Sequence, residues 1–321
     1  MFARELTELH RGVVTEKGPG WILGELDANH SAFAHLTLVD PVEIRADSVN
    51  GLAGQVADFF LTSLRGERIE AAWPSYWQGP AELVGLGRRI GAVASAFDEL
   101  LRKKLSRVAR LAQPDLPRGR GRWRGLFVFF VDFNRAYAAR EVVAHGQRRM
   151  ADDELAPSRS YLKIEEAFQI LGREPQPGET VCDLGAAPGG WSYSAAKRGA
   201  QVIALDNGPL KGGALNHPLI EHRCSDAFGF RPSAGETFDW LFCDLVEEPH
   251  HVLRHIVEPW LTQRWCRRFV VNLKFGRVDA IALLAEIRAP DSPVTRLAPT
   301  TLFRHLYHDR EEFTLMGEVG P

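Results

Sequence analysis

Cysteine is scarce and scattered in this chain. The 321 residues hold only Cys182, Cys224, Cys243 and Cys266. No CxxC pair or dense framework is present, so neither a disulfide scaffold nor a structural zinc site is supported, and a reducing cytoplasm is the expected setting. Long apolar runs are also missing. No stretch of about 18 apolar residues occurs, and the charged Met1 to Gly12 segment lacks an apolar h-region, so neither a membrane span nor a leader is expected. Charge of one sign is not in excess: 39 Lys and Arg face 41 Asp and Glu, which argues against a uniformly basic protein. The composition, 45% hydrophobic and 25% charged, is ordinary globular composition with room for two domains.

The charges are nevertheless unevenly placed. Nine Lys or Arg residues lie between Arg102 and Arg124, against the single acid Asp115. Within that segment Lys103, Arg107 and Arg110 fall at i, i+4 and i+7, one helical face suited to phosphate contacts, with a solvated helix face as the plainer reading. Pro114 to Gly125 (PDLPRGRGRWRG) reads as a mobile surface loop. Its Arg120 and Arg122 beside Trp123 combine charge with a stacking ring, as in single-stranded RNA binders.

Residues up to about Asn134 mix strand-like runs (Trp21 to Leu26, His35 to Val39) with helix-like runs (Val49 to Leu64, Val93 to Leu111), the pattern of a small α+β domain. An apolar strand, Leu126 to Val131, precedes a hairpin turn at Asp132 to Arg135. His145 to Ser158 is polar and reads as a linker, placing a boundary near residue 150, with Ser158 or Ser160 capping the next helix. From there the chain alternates as a parallel α/β sheet requires: helix Tyr161 to Leu171, strand Thr180 to Leu184, helix Trp191 to Arg198 and strand Gln201 to Leu205. Strand Trp240 to Cys243, a helix around His250 to Cys266 and strand Phe269 to Leu273 follow. Thr301 to Tyr307 and Glu312 to Met316 read as an antiparallel pair at the sheet edge.

The most specific feature is Asp183 to Trp191, DLGAAPGGW, a glycine-rich turn between an apolar strand and a helix. Glycines there admit close backbone approach to a ligand, and helix N-terminal amides are free to donate. Asp206, about 20 residues past the loop at a strand end, stands where doubly wound folds hold ribose hydroxyls. The loop lacks the GxGxxG spacing, and Pro188 removes an N–H that a pyrophosphate would need, so a nicotinamide dehydrogenase is disfavoured and a cofactor without phosphates fits better. Gly85 to Gly91, GxGxxxG, is one residue too long for the dinucleotide fingerprint and reads as a turn. His250, His251 and His255 have no partner spacing for a metal, and none is assigned.

The nine residues of DLGAAPGGW resemble the S-adenosylmethionine (SAM) loop of the FtsJ-like ribose 2'-O-methyltransferases. Methylating a ribose hydroxyl requires alignment of the reactants and removal of a weakly acidic proton, work suited to a lysine oriented by a carboxylate. Lys163, Asp244, Lys274 and Glu311 resemble that family's lysine–aspartate–lysine–glutamate tetrad, with Glu312 the alternative to Glu311. Ser158 to Lys163 is similar to the family's SRSxxK segment. Lys274 stands two residues beyond Asn272, where simple FtsJ proteins often carry the second lysine; the shift keeps it on the same strand face.

Asn272-Leu273-Lys274, Cys243 to Glu247 and Leu306 to Glu312 together resemble one subgroup, the RlmM type, whose members are 23S ribosomal RNA cytidine 2'-O-methyltransferases with an RNA-binding THUMP domain ahead of the catalytic one. The resemblance covers Phe127 to Glu312. It implies a Rossmann-like methyltransferase domain over 151–321, preceded by a smaller THUMP-like α+β domain over 1–150. It also implies SAM as cofactor and ribosomal RNA as partner. By the same resemblance Gly185, Ala187, Pro188, Gly189, Gly190, Trp191, Asp206, Asp226 and Asp244 would hold SAM, with Asp206 on the ribose and Asp226 near the adenine. Lys274 would be the base, Asp244 would lie beside it and the methyl group, and Lys163 and Glu311 would position the hydroxyl. The competing readings are the same chemistry on a transfer or messenger RNA, and a catalytically silent protein that binds SAM and RNA.

Overall fold

The computed structural model describes residues 1–25, 31–64 and 66–320. Among these, the chain groups into two units: one from 10–25 and 35–145, the other from 1–9, 31–34 and 146–320. The chain opens with α1 (Phe2–Arg4) and a π-helical turn, Glu5–Leu9, both in the second unit.

The first unit begins with an antiparallel pair, β1 (Val13–Gly18) and β2 (Trp21–Glu25); Leu26, expected to end that strand, lies outside the described residues. There follow β3 (Leu36–Val39), β4 (Val42–Arg45), α2 (Val49–Ser63), β5 (Trp73–Gln78), α3 (Leu86–Lys104), α4 (Ser106–Leu111), β6 (Ala112–Gln113), β7 (Gly121–Asp132) and β8 (Arg135–Ala144). The β7–β8 hairpin is the spine of the sheet, ordered β3-β8-β7-β5-β6 with β4 also pairing β8. Two helices cover it because their apolar residues recur every four positions. Leu52, Val56 and Phe60 of α2 and Val93, Phe97 and Leu101 of α3 are buried with Trp73, Val128 and Phe130.

Two expectations fail in this unit. The segment expected to be a loop as far as Gly125 is strand from Gly121 onward, where β7 begins. Arg122 and Arg124 alternate outward from Trp123 and pair with Glu141 and Glu67, both at 2.9 Å, so strand periodicity and ion pairing order the segment. The Gly85 to Gly91 run is no turn beyond Gly85, whose positive φ of 87° caps α3; the helix starts at Leu86, well ahead of the expected Val93.

The second unit carries α5 (Tyr161–Leu171), β9 (Thr180–Leu184), α6 (Gly190–Ala196), β10 (Gln201–Leu205), β11 (Ile220–Arg223), β12 (Phe238–Cys243), α7 (Pro249–Val252), α8 (Glu258–Thr262), β13 (Cys266–Lys274), α9 (Ala280–Arg288), α10 (Pro293–Leu297), β14 (Leu302–Arg304) and β15 (Glu312–Glu318). Its sheet runs β11-β10-β9-β12-β13-β15-β14. β9 to β13 pair in parallel, and β15 is antiparallel to both β13 and β14. This is a Rossmann-like doubly wound α/β sheet. Its central strands are apolar on both faces: Phe168, Trp191, Trp240 and Phe242 pack on one side, Leu241, Ile256, Trp260 and Leu284 on the other.

β14 and β15 form the antiparallel pair at the sheet edge that the sequence pattern suggested, with β14 outermost and β15 inside it, against β13. Cys266 starts β13 rather than ending a helix, and Ser160 precedes α5 without a side-chain cap bond. The strand order reverses between β9 and β12, the position whose C-terminal edge forms a crevice in open α/β sheets. Glu5, fully buried, joins the early segments to this unit: it accepts from Ser31 Oγ at 2.6 Å and Ala32 N at 2.7 Å and pairs with Arg288 at 3.3 Å. Among the described residues no helix is long and apolar enough to cross a membrane.

Candidate active site

At the C-terminal end of β9 the glycine-rich loop crosses the switch point, with a cis bond between Ala187 and Pro188. The amides of Gly185 and Ala186 donate to Leu205 O, that of Gly189 to Ala186 O, and that of Ala187 to Asp206 Oδ2 at 3.0 Å. Asp206 Oδ1 also accepts from Gly208 N at 2.7 Å. These amides are therefore spent on the end of β10 and on the loop's own Ala186, and form no phosphate cradle. The glycines serve close packing: at Gly189, with φ of 107°, an added Cβ would stand 2.4 Å from Ala214 Cβ, and at Gly185 2.5 Å from Leu245. Pro188 O accepts from Lys211 N. Trp191 turns its side chain into the core, donating to Ser160 O at 2.9 Å and meeting Phe242 edge-on. That leaves the ring no ligand-facing role.

Four acids lie at or just past the C-terminal ends of β9, β10, β11 and β12. Asp183 is buried under the loop and accepts from Ser192 Oγ at 2.6 Å. Burial, opposed by Ser192 and reinforced by Asp244 and Asp206, pushes its carboxyl up to about 7. Asp206 stands half-buried at the end of β10. Asp226 follows β11, exposed, with Oδ1 accepting from Phe228 N at 3.1 Å. Asp244 ends β12.

Asp244 joins the two lysines. Its Oδ1 lies 2.7 Å from Lys274 Nζ and 3.6 Å from Lys163 Nζ. Lys274 Nζ also donates to the main-chain oxygens of Asp244 and Leu245, each at 3.0 Å. Lys163, on the first turn of α5, donates to Glu312 Oε1 at 2.8 Å. Burial disfavours the Lys163 charge, yet Asp244, Glu312 and Asp309 outweigh it and hold its pKa above the ordinary value. Glu311 is exposed and outside this cluster, its carbonyl accepting from Phe275 N. The β13–β15 register pairs Lys274 directly with Glu312, and directly opposed residues share a face, so Glu312 and not Glu311 joins the lysines.

Three residues behind the cluster were not singled out as site residues. Asp309, nearly fully buried, accepts from Leu306 N at 2.8 Å and Asn272 Nδ2 at 3.3 Å; burial drives its carboxyl well above the ordinary range. Asn272 also donates to Thr314 Oγ1 at 3.1 Å. Glu166, one turn after Lys163 on α5, accepts from the amides of Tyr307 and Arg148. An acid on the apolar face of α5, at i+3 from Lys163, was the signal available for Glu166.

Of the basic candidates, Lys103, Arg107, Arg110, Arg120 and Arg122 are all exposed in the first unit. The single face expected for the first three is interrupted: Leu105 (φ −141°) breaks the helix, leaving Lys103 on α3 and Arg107 and Arg110 on α4. Arg122 is paired with Glu141. His250 bridges Glu248 and Glu286, while His251 lies against Phe228 and His255; among the described residues no group of three or more His, Cys, Asp or Glu is placed to hold a metal.

Residues 156–275 match the FtsJ-like methyltransferase family. Ribosomal RNA large subunit methyltransferase M of Laribacter hongkongensis is 38% identical over 71% of this chain and 66% of its own length, and that of Marinomonas sp. is 38% identical over 59% and 57%. The enzyme of the same name from Xanthomonas oryzae pv. oryzae is 34% identical over 73% of this chain and 69% of its own. The chain belongs to the ribosomal RNA large subunit methyltransferase M family. It spans less than two thirds of the length of the first two relatives, 66% and 57%. The donor set suits the family's cofactor: carboxylates Asp206, Asp226 and Asp244 beside apolar Leu245 and Phe228 can receive a cationic sulfonium nucleoside, and the already bonded loop amides offer nothing to a pyrophosphate.

Proposed function

We propose that this chain transfers a methyl group from SAM to the 2'-hydroxyl of a cytidine ribose in large-subunit (23S) ribosomal RNA. The observation that carries the reading is the Asp244 carboxylate oxygen set 2.7 Å from Lys274 Nζ and 3.6 Å from Lys163 Nζ, with Glu312 2.8 Å from Lys163 on its other side.

Bound SAM supplies an electrophilic methyl group. Gly185, Ala187, Pro188, Gly189 and Gly190 shape the pocket, Asp206 receives ribose hydroxyls and Asp226 faces the adenine. Lys163, held charged between two carboxylates, points an N–H at the ribose oxygen and stabilises negative charge there. Lys274 takes the hydroxyl proton. As an ammonium it spends three N–H groups on Asp244 Oδ1, Asp244 O and Leu245 O; as a free amine it keeps two donors on the chain and turns a lone pair to the hydroxyl. Glu312 takes the position assigned to the terminal glutamate.

The first unit, within residues 1–150, serves as the THUMP-like RNA-binding domain, with Lys103, Arg107, Arg110, Arg120 and Arg122 on phosphates. The protein acts in the cytoplasm. Digestion of methylated large-subunit RNA to nucleosides tests the reading: label from SAM is expected in 2'-O-methylcytidine. Label in a base, or in no nucleoside, contradicts it.

A further inference from the structure

The loop between β14 and β15 displays an aromatic side chain on a tightly held backbone. Tyr307 is 51% exposed, yet its amide donates to both oxygens of the fully buried Glu166, at 2.9 and 3.0 Å. The neighbouring amide of Leu306 donates to Asp309 Oδ2 at 2.8 Å. His308 Nε2 accepts from Met150 N at 3.2 Å, and its ring meets that of Tyr307 edge-on, with centroids 5.3 Å apart. The Tyr307 ring is thus backed by a second ring, and its backbone is fixed from three sides.

The surroundings are cationic. Arg149 and Arg159 are exposed, and both guanidiniums, after burial, push the His308 pKa below its ordinary value, with Asp152 opposing them. The chain itself ties this surface to the reactive cluster. Arg159 lies four residues before Lys163, Glu166 one turn after it on α5, and Tyr307 five residues before Glu312. An exposed, rigidly mounted ring flanked by guanidiniums is the combination with which proteins hold single-stranded RNA, the ring stacking on a base and the cations meeting phosphates.

We propose that Tyr307, backed by His308, stacks on one unpaired base of the substrate RNA next to the modified ribose, while Arg149 and Arg159 take the flanking phosphates. The inference rests on the reading of the substrate as RNA, and a binding measurement separates the two. The full-length protein and its Tyr307→Ala, Tyr307→Phe and Arg159→Ala variants are titrated with a fluorescent single-stranded RNA, and methyl transfer to large-subunit RNA and SAM affinity are followed alongside.

Tyr307→Ala is expected to weaken RNA binding about 5- to 100-fold, on the scale of one lost base stack, and to raise KM for RNA while kcat and SAM affinity stay within about threefold. Tyr307→Phe retains wild-type binding, and Arg159→Ala lowers the salt dependence of binding by about 0.7 in log–log slope. Wild-type binding by Tyr307→Ala, or equal losses in Tyr307→Ala and Tyr307→Phe, overturns the site; if the wild type still methylates RNA, the functional reading survives that loss. Tyr307-dependent RNA binding without any methyl transfer keeps the site and overturns the functional reading. Absence of RNA binding by the wild type overturns both.

Discussion

Lys274 Nζ donates to Asp244 Oδ1 at 2.7 Å, and this pair stands where β12 and β13 end side by side, one strand along from the switch point between β9 and β12. Removing the amine removes the proposed proton acceptor and leaves the glycine loop and Asp206 untouched. Lys274→Ala is therefore expected to lose methyl transfer by on the order of 100-fold or more, with SAM affinity, measured by calorimetry, within about threefold of wild type. Lys274→Arg should be equally inactive, because a guanidinium stays protonated. Transfer near the wild-type rate in either variant removes Lys274 from the base role.

Glu311 and Glu312 offer a sharper contrast, because they are adjacent and chemically identical. Glu312 is buried on Lys163, and Glu311 faces solvent. Glu312→Gln should lower kcat by on the order of 100-fold, whereas Glu311→Gln should stay within about twofold. Single-turnover methylation of both variants checks this, and a larger loss in Glu311→Gln contradicts the placement.

That pair also marks what the sequence could and could not reveal. The loop Asp183 to Trp191, Asp206, Asp244 and both lysines were legible because they sit at strand and helix ends whose apolar patterns are strong. Choosing between Glu311 and Glu312 required the register of β15 against β13, where a shift of one residue moves a side chain to the opposite face; the composition of the strand does not encode it. The fold of the second unit was legible from its alternating helices and strands. The antiparallel β14–β15 pair at its edge was legible too, but not which of the two strands lies inside against β13, since hairpin-like spacing is compatible with either order. The arginine-rich Gly121 to Arg124 segment looked like a loop because its turn-forming residues masked a strand stabilised by Glu141 and Glu67 from elsewhere in the chain. Glu5 was invisible for the same reason, as its partners Ser31, Ala32 and Arg288 are distant in sequence.

Glu166 gives a prediction in pH. Burial, opposed by the amides of Tyr307, Arg148 and His308, raises its carboxyl from 4.5 to about 7. The folded protein then holds a proton that the unfolded chain releases. The stability this contributes is full below about pH 4.5 and is lost as pH rises through about 7. Glutamine does not titrate, so the stability gap between wild type and Glu166→Gln should shrink between about pH 5 and about pH 7.5, by on the order of 3 kcal/mol at most. Urea unfolding at several pH values measures the gap; a gap that is constant or widens with pH contradicts a raised Glu166.

The exposed basic residues of the first unit predict an ionic-strength signature. Replacing Lys103, Arg107 and Arg110 together with glutamine should reduce the log–log salt slope of RNA binding by about 0.7 for each phosphate that is no longer neutralised. Affinity for SAM should not change. A slope equal to that of the wild type assigns these residues to a solvated surface.

The central claim is ribose methylation, and its most direct test is transfer of labelled methyl from SAM to protein-free large-subunit ribosomal RNA followed by nucleotide-resolution mapping of 2'-O-methyl groups. A single modified cytidine, present with the wild type and absent with Lys274→Ala, is the predicted result. SAM binding without a 2'-O-methyl group at any position, on either naked RNA or assembling subunits, would contradict the account.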